Sequence, residues 1–293
     1  MDEMDFEILK KLDKNCRISY SDIARSLDLT VKAVSKRIDR LLENGVIKYF
    51  SIQFNYNLLG YRHYIGSFLI DKAVQPENFF KELQLLPEIH EIWVLIDGSL
   101  TISFFAQNAK HLEELINKLI QHGAKIRGYT ETRTHFPPDI SFSPTDWRII
   151  FFLLKNSRAS KLKIANALSI SEKTVMRRLN RMVNMNLVQF IPEIDFEKFS
   201  GIAAGVISVV TEGPSKSKYL KLKDDKNIKY WRNTGGVTPS IVLFVYGRNL
   251  TEIYDMYSYL KYQEDVKDCS LTFVVKNWEN SNIIEDAVLE KIQ

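Results

Sequence analysis

The sequence predicts an α+β fold in which two winged helix-turn-helix domains alternate with two ferredoxin-like βαββαβ domains. Three observations support this. The first half of the chain recurs in the second, each copy begins with short amphipathic helices, and each continues with alternating strands and helices. The predicted domains are 1–55 (first winged unit), 60–136 (first ferredoxin-like domain), 137–143 (linker), 144–196 (second winged unit), 200–276 (second ferredoxin-like domain) and 277–293 (C-terminal helix or tail).

Composition narrows the class of protein. The chain has 293 residues with a formal net charge of +4, which is only mildly basic, so positive charge matters only where it is clustered. Apolar runs stay well short of the roughly 18–20 residues that span a bilayer, and the acidic, amphipathic N-terminus is unlike a secretory signal. Cys16 and Cys269 are too few for a disulfide framework or a Cys-rich zinc site. We therefore expect a cytoplasmic protein.

The internal repeat has an offset of 141 positions, which carries Asp5 onto Asp146. It runs without a gap through Tyr49 and Phe190. Many identities within it are spaced by three and four residues, as the buried face of a helix requires. The repeat indicates a duplicated unit.

Each copy of the repeat predicts three short helices. Ser143 and Pro144 form a good start for the first helix of the second copy, and Thr30 and Ser171 cap the third helices. Gly45 stands where a helix ends in a left-handed residue. The segments "VIKYFSIQF" and "LVQFIPEIDF" that follow are typical of a small hairpin, the wing.

The third helix of each copy places positive charge opposite its apolar stripe. Lys32, Lys36 and Arg40 are spaced by four residues, and the second copy repeats the pattern. A major groove about 12 Å wide admits one such helix, with phosphates on its rims. A charged solvent face is the alternative for a single amphipathic helix, but both copies are positive and carry little acid there. In the second copy the pattern is formed by Lys173, Arg177 and Arg181. Arg37 and Arg178 flank the pattern in the first and second copy.

The segment after each helical unit predicts the order β-α-β-β-α-β, a ferredoxin-like unit. Asp97-Gly98 is a hairpin signal between the second and third strands of the first unit, and Gly235-Gly236 stands near the same position in the second. The boundary "THFPPDISFSPTD" contains two adjacent prolines and indicates a stiff linker.

These segments resemble the leucine-responsive/AsnC family of prokaryotic transcription regulators. The resemblance is carried by "MDFEILKKLDKNCRISYSDIARSLDLTVKAVSKRIDRLLENGVIKYF" and "NYNLLGYRHYIGSFLI", and it covers the first half closely and the second more loosely. It implies winged helices that bind double-stranded DNA and paired ferredoxin-like domains that often hold an amino-acid effector. The DNA-contacting side chains implied are Thr30, Lys32, Ser35, Lys36, Arg40, Ser171, Lys173, Met176, Arg177 and Arg181.

The chain departs from the usual family pattern in two ways. It holds two units, which indicates an intramolecular pseudo-dimer whose sandwich domains pair sheet to sheet; further self-association stays open. The effector loop of the family often has a Gly followed soon by an Asp. Here Ser-Leu-Thr follows Gly98 and Val-Thr-Pro follows Gly236, which argues against a typical amino-acid effector. The candidate effector residues are Asp97, Gly98, Gly235 and Gly236.

Other clusters in the sequence favour ordinary structural roles. The lysine-rich stretch from Lys216 to Arg232 is typical of a solvated helix face, with an extra phosphate-binding patch as the alternative. The many aromatic residues lie within apolar strands, which favours packing in cores or between domains over a base-stacking platform. The five histidines lack HxxxH or HExxH spacing. We predict no catalytic residues, no metal site and no cofactor.

Two further functions stay open. Sirohaem decarboxylases resemble this regulator family in fold and work as paired subunits, and "IKYWRNTGG" contains an Arg that suits a substrate carboxylate. A ligand-sensing protein without DNA binding is the other alternative. The preferred hypothesis is a sequence-specific DNA-binding regulator that is not an enzyme.

Overall fold

The computed structural model describes residues 1–131, 137, 140–212, 230–233 and 240–292, with the backbone alone for 230–233 and 240–241. Within these residues, no helix is both long enough and apolar enough to cross a bilayer. The first half contains α1 (Glu3–Lys14), α2 (Tyr20–Leu27), α3 (Val31–Glu43), β1 (Ile47–Phe54), β2 (Arg62–Ile70), α4 (Pro76–Gln84), β3 (Ile89–Leu95), β4 (Leu100–Ala106), α5 (Ala109–Gln121) and β5 (Ala124–Glu131).

The second half repeats this order. Its described elements are α6 (Pro144–Leu153), α7 (Lys161–Leu168), α8 (Glu172–Asn184), β6 (Val188–Ile194), β7 (Ala203–Thr211), β8 (Tyr230–Asn233), β9 (Ser240–Gly247), α9 (Leu250–Lys261), β10 (Val266–Thr272), β11 (Val274–Glu279) and α10 (Asn282–Glu290). The helix predicted within the lysine-rich stretch that begins at Lys216 lies outside the described residues. Short 3-10 turns at Tyr56–Leu59 and Phe196–Lys198 join each helical unit to its sandwich.

Both sandwich sheets are antiparallel and have the strand order of a ferredoxin-like fold. The order is β10-β7-β9-β8 in the second sheet and β3-β4-β2-β5 in the first. The predicted fold class is therefore confirmed. The first sheet also has a fifth strand, β11, which comes from the far end of the chain and pairs with β3. The sequence analysis did not predict β11, whose residues it divided between the second ferredoxin-like domain and the C-terminal helix or tail.

The predicted wing hairpins are wrong. Each segment forms one strand, and β1 pairs antiparallel with β6 of the other unit, from Ile47 opposite Ile194 to Phe54 opposite Val188. A single strand leaves both of its edges with unpaired backbone N–H and C=O groups, and the matching strand of the second unit pairs with one of them. The two helical units are therefore joined by a shared two-stranded ribbon.

The ribbon also corrects the gap-free alignment of the repeat. The amide of Cys16 donates to the carbonyl of Phe190 at 2.8 Å, and the amide of Ser157 donates to the carbonyl of Phe50 at 2.8 Å. These two bonds are equivalent, so Phe50, and not Tyr49, is the counterpart of Phe190. A register shift between Ile47 and Tyr49 accommodates the additional residue in β1.

Among the residues that the structure describes, the buried apolar side chains form three clusters. Two of them lie within the individual sandwiches, between sheet and helices. The third is continuous through both helical units and across the facing sheets, where Trp93 of β3 lies 4.9 Å from Phe244 of β9 between ring centroids. The aromatic strand residues thus include a group that packs between the domains, which fits the predicted pseudo-dimer.

Candidate nucleic-acid interface

The third helices are positioned by local sequence signals. Asp28 and Ser169 adopt φ values of 53° and 54°, so α2 and α7 each end in a tight left-handed turn. The Thr30 hydroxyl then accepts the amide of Ala33 at 3.1 Å, and Ser171 accepts the amide of Thr174 at 3.1 Å. These caps begin α3 and α8 as predicted. The hydroxyls of Thr30 and Ser171, which were predicted to contact DNA, already accept a backbone hydrogen bond.

One side of each third helix is buried in its unit. The residues that fix this orientation are spaced by three and four positions and are nearly or fully inaccessible to solvent. The opposite side consequently faces away from the core. The buried residues are Val34, Ile38 and Leu41 on α3, and Val175, Leu179 and Met182 on α8.

Four of the predicted cations lie free on these outward sides. Lys32 and Lys36 of α3 are exposed, as are Lys173 and Arg177 of α8. None of the four forms an ion pair with another residue in the described part of the chain. Met176 is 40% exposed beside them. In α3, the corresponding Ser35 hydroxyl donates to Asp39 at 3.3 Å.

The other predicted cations of α3 point back to α1. Arg37 contacts Asp2 and Asp5 at 2.7 Å each, and Arg40 contacts Asp5 at 2.8 Å. The Asp5 side chain is completely buried, and its carboxylate also accepts the amide of Asp2 in the capping box of α1. Arg37 and Arg40 therefore hold α3 against α1, where the sequence interpretation had placed them on DNA.

The second unit repeats this network. Arg178 contacts the Ser143 hydroxyl at 2.7 Å and Asp146 at 2.9 Å, while Arg181 contacts Asp146 at 3.2 Å. Burial alone would raise the pKa of Asp146. Hydrogen bonds from Ser143 and Arg178 outweigh that effect and lower the pKa below its usual value. Sequence reasoning missed this role, although an Asp within an apolar helix face, identical in both copies, was a usable signal.

A second pair of arginines connects the two units to each other. Arg17 donates to the carbonyl of Ser157, and Arg158 donates to the carbonyl of Cys16. Each guanidinium also lies over an aromatic ring of the other unit, Arg17 at 5.4 Å from Phe190 and Arg158 at 5.3 Å from Phe50. These reciprocal contacts hold the helical units in one relative position.

The candidate effector residues of the first sandwich form a closed turn. Gly98 adopts a φ of 78°, and Asp97 accepts the amide and the hydroxyl of Ser99 at 2.9 and 2.6 Å. Hydrogen bonds from Ser99 lower the pKa of Asp97, with help from Arg127 at 3.7 Å. The predicted hairpin is confirmed, and its acid is already bonded within the turn. Gly235 and Gly236 lie outside the described residues.

Comparison with known proteins places the two helical units in a family. The "Winged helix-turn-helix DNA-binding" profile matches residues 1–48 and 142–189. LrpA of Bacillus subtilis is 32% identical over 42% of this chain and 91% of its own length, and is described as an HTH-type transcriptional regulator. The chain belongs to the Lrp/AsnC family. An uncharacterised HTH-type regulator of Pyrococcus abyssi is 31% identical over 46% of this chain and 84% of its own length.

This Lrp/AsnC chain carries the winged helix-turn-helix unit twice, as the internal repeat predicted. The tandem arrangement as a whole is similar to the solved structure of the siroheme decarboxylase NirDL. That structure aligns over 98% of both chains with a TM-score of 0.56 and 15% sequence identity. At that identity the likeness concerns the fold, which is two helical units and two sandwiches in one assembly.

Proposed function

We propose that this Lrp/AsnC protein binds double-stranded DNA with α3 and α8 together and regulates transcription without catalysing a reaction. The observation that carries the proposal is the pair of exposed basic faces on two matched, capped helices. Contacts from Lys and Arg side chains to the DNA phosphates supply affinity and orientation, while side chains of the first helical turn read base edges. The proposed contacts are Lys32, Ser35, Lys36, Lys173, Met176 and Arg177.

The ion-paired arginines have a different role in this proposal. Arg37 and Arg178, the more buried of the four, position the third helices through Asp5 and Asp146. Arg40 and Arg181 keep 50% and 41% of their side-chain surface exposed, so each can also approach a phosphate. Thr30 and Ser171 act mainly as caps that present the first-turn amides.

The shared ribbon and the reciprocal contacts of Arg17 and Arg158 support a fixed distance between the two reading helices. We infer half-sites about one helical turn apart, roughly 34–36 Å, or a multiple of that spacing. The reading faces differ, because Ser35 corresponds to Met176 and Val31 to Glu172. We therefore infer an imperfect palindrome as the preferred site of this fused chain, whereas a homodimer, with two identical reading faces, would prefer a symmetric site.

The test is selection of bound fragments from random duplex DNA, with variants in each unit. Lys32→Ala/Lys36→Ala and Lys173→Ala/Arg177→Ala should each remove preference for one half-site, and each lost phosphate contact should reduce the salt slope by about 0.9. Met176→Ser should shift the second half-site toward the first. Fragments that resemble the wild-type selection in both double variants would refute the proposal.

A second candidate is a tetrapyrrole decarboxylase, favoured by the match to NirDL along the whole chain. The two relatives compared above are described as HTH-type transcriptional regulators, and both basic faces are exposed, which supports the DNA-binding proposal instead. Mixing the protein with sirohaem and recording the absorbance spectrum separates the two. A saturable spectral change followed by loss of carboxyl groups would establish the enzyme. Ligand binding with no shift of any selected fragment would indicate a sensor that does not bind DNA.

A DNA-binding regulator acts in the compartment that holds the DNA, so we propose a cytoplasmic location for it. The proposal needs no further chain, because the pseudo-dimer already supplies two reading helices. Sedimentation of the protein with and without a selected fragment would reveal any larger assembly.

A further inference from the structure

The two helical units carry different net charges. Residues 1–55 contain ten Lys and Arg side chains and nine Asp and Glu side chains, whereas residues 144–196 contain nine and four, so the net charges are +1 and +5. We propose that the second unit, through α7 as well as α8, supplies most of the attraction to duplex DNA of any sequence, and that the first unit adds affinity only at a matching site. This inference deepens the proposed function and rests on it.

The difference between the units lies in the acids rather than in the cations. At four exposed positions the first unit has a carboxylate where the second, 141 residues later, has a lysine or a neutral side chain. With a Debye length of about 10 Å at 0.1 M salt, each carboxylate weakens the attraction that neighbouring cations exert on a phosphate. The pairs are Asp22 and Lys163, Asp28 and Ser169, Asp39 and Asn180, and Glu43 and Asn184.

The start of α7 differs most from its counterpart in α2. Asp22 and Lys163 each occupy the third position of their helix, and each donates its backbone amide to the capping serine at 3.1 Å, so the two sites are structurally equivalent. In α2 the carboxylate of Asp22 pairs with Arg25 at 3.1 Å. In α7 both Lys161 and Lys163 are exposed and form no ion pair within the described residues.

Lysines at the start of a helix are unfavourable for the helix itself. The first turn carries a partial positive charge, which stabilises carboxylates there and repels cations. The first turn of α2 follows this rule with Asp22, whereas that of α7 contains no acid. Because Lys161 and Lys163 lower the stability of their own helix, we infer that they act on a partner outside the unit. The phosphates of a duplex are a partner of the matching charge.

The place of α7 in its unit fits a contact with phosphates. In a helix-turn-helix unit the first helix of the pair crosses the DNA backbone and the second lies in the major groove. In the second unit these helices are α7 and α8, which pack on each other. Both carry exposed cations, so both strengthen the attraction to a duplex whatever its sequence.

The matched helices of the first unit attract phosphates less. On α2 the charge of Arg25 is balanced by Asp22. On α3 the exposed acids Asp39 and Glu43 follow Lys36 by three and seven residues, which places them on the same side of the helix. Contacts with the bases are therefore needed to keep α3 in the groove, and the first unit adds affinity only where the bases match.

The test measures the affinity of the full chain for a short duplex of unrelated sequence at several salt concentrations. Lys161→Gln/Lys163→Gln should lower the salt slope by about 1.8, which is about 0.9 for each lost phosphate contact. Lys32→Gln/Lys36→Gln should lower it by less than half as much on this duplex. On the selected fragment, where both units bind, the two double variants should lower the slope equally.

The control removes the same charge from the first sandwich. Lys72 and Lys81 are exposed there, and Lys72→Gln/Lys81→Gln should leave the slope unchanged. An unchanged slope in the α7 variant, or equal losses for the α3 and α7 variants on the unrelated duplex, would overturn the inference. Binding of the selected fragment alone would also overturn it while leaving the proposed function intact. If the wild-type chain bound neither duplex, the proposed function itself would fail.

A single charge reversal separates binding from a structural role. Lys163→Asp places the acid of α2 at the start of α7, so the urea midpoint should rise while affinity for the unrelated duplex falls at least threefold. Asp22→Lys, the reciprocal change, should lower the midpoint and increase that affinity at least twofold. A lower midpoint for Lys163→Asp would show that the lysine supports its own helix, and unchanged affinity would show that it lies away from DNA; either result would overturn the inference.

Discussion

The Sγ of Cys16 lies 3.0 Å from the Oγ of Ser157, and the two residues occupy the same position in the two repeats, 141 residues apart. In a homodimer this position would face a copy of itself across a two-fold axis. In the fused chain the two sides differ, so a thiol meets a hydroxyl. This contact, enclosed by Arg17 and Arg158, marks the centre of the interface between the helical units.

Restoring symmetry at this contact should link the two units covalently. In Ser157→Cys, two thiols would face each other, and mild oxidation should form a disulfide that closes a long loop. Closing such a loop restricts the unfolded chain, so we expect the free energy of unfolding to increase by about 2–4 kcal/mol. Free-thiol counts and urea unfolding, before and after reduction, measure this. Ser160→Cys, at an exposed helix cap, is the control; equal thiol counts in both variants after oxidation would contradict the contact.

Burial raises the pKa of Cys16 to about 11, against an ordinary value of 9.0, although the hydrogen bond to Ser157 opposes the shift. Below pH 9 the thiol is protonated in both states, so its contribution is fully present. As pH rises toward 11, the unfolded thiol ionises while the folded one does not, and stability is lost. Between pH 8.5 and 10.5 we expect wild type to lose about 2 kcal/mol more than Cys16→Ala. Urea unfolding at both pH values checks this, and parallel losses would refute it.

The buried carboxylate of Asp5 should contribute more to the stability of the protein than an exposed carboxylate on the same helical unit. Asp5→Asn removes the charge that Arg37 and Arg40 face, while the shape is nearly retained. Because both arginines keep access to water, we expect a loss of about 2–3 kcal/mol, somewhat less than for a fully buried pair. Asp39→Asn, exposed on α3, should change stability by less than about 0.5 kcal/mol. Equal urea midpoints for the two variants would mean that the network does not support the unit.

Lys36 and Arg37 are neighbours on α3, but their substitution should affect different measurements: DNA binding for Lys36 and stability for Arg37. Lys36→Ala should leave unfolding unchanged, weaken DNA binding and lower the salt slope by about 0.9, since the side chain is exposed and unpaired in the described structure. Arg37→Ala should lower stability by about 1–3 kcal/mol, because it leaves Asp5 with fewer partners. Unfolding curves together with affinity at several salt concentrations distinguish the two. Arg37→Ala with unchanged stability and the same slope loss as Lys36→Ala would place Arg37 on DNA after all.

The sequence alone determined the duplication, the helices and their caps, and the ferredoxin-like order of both sandwiches. The duplication is visible as a repeat at a fixed offset of 141 positions. The helices and their caps follow from short-range rules, because the apolar stripe of Val34, Ile38 and Leu41 specifies a helix face and Thr30 can satisfy an amide three residues away. The exposure of Lys32 and Lys36 follows from the same periodicity. Such properties are visible within one or two helical turns of sequence.

Only the tertiary structure decided which partners these elements take. β1 pairs with β6 instead of folding into a hairpin, and β11 joins the sheet of the other half, because an unpaired strand edge accepts any strand that the fold brings near it. Arg37 turned out to contact Asp5, 32 residues away, since a buried carboxylate needs a cation and α3 packs on α1.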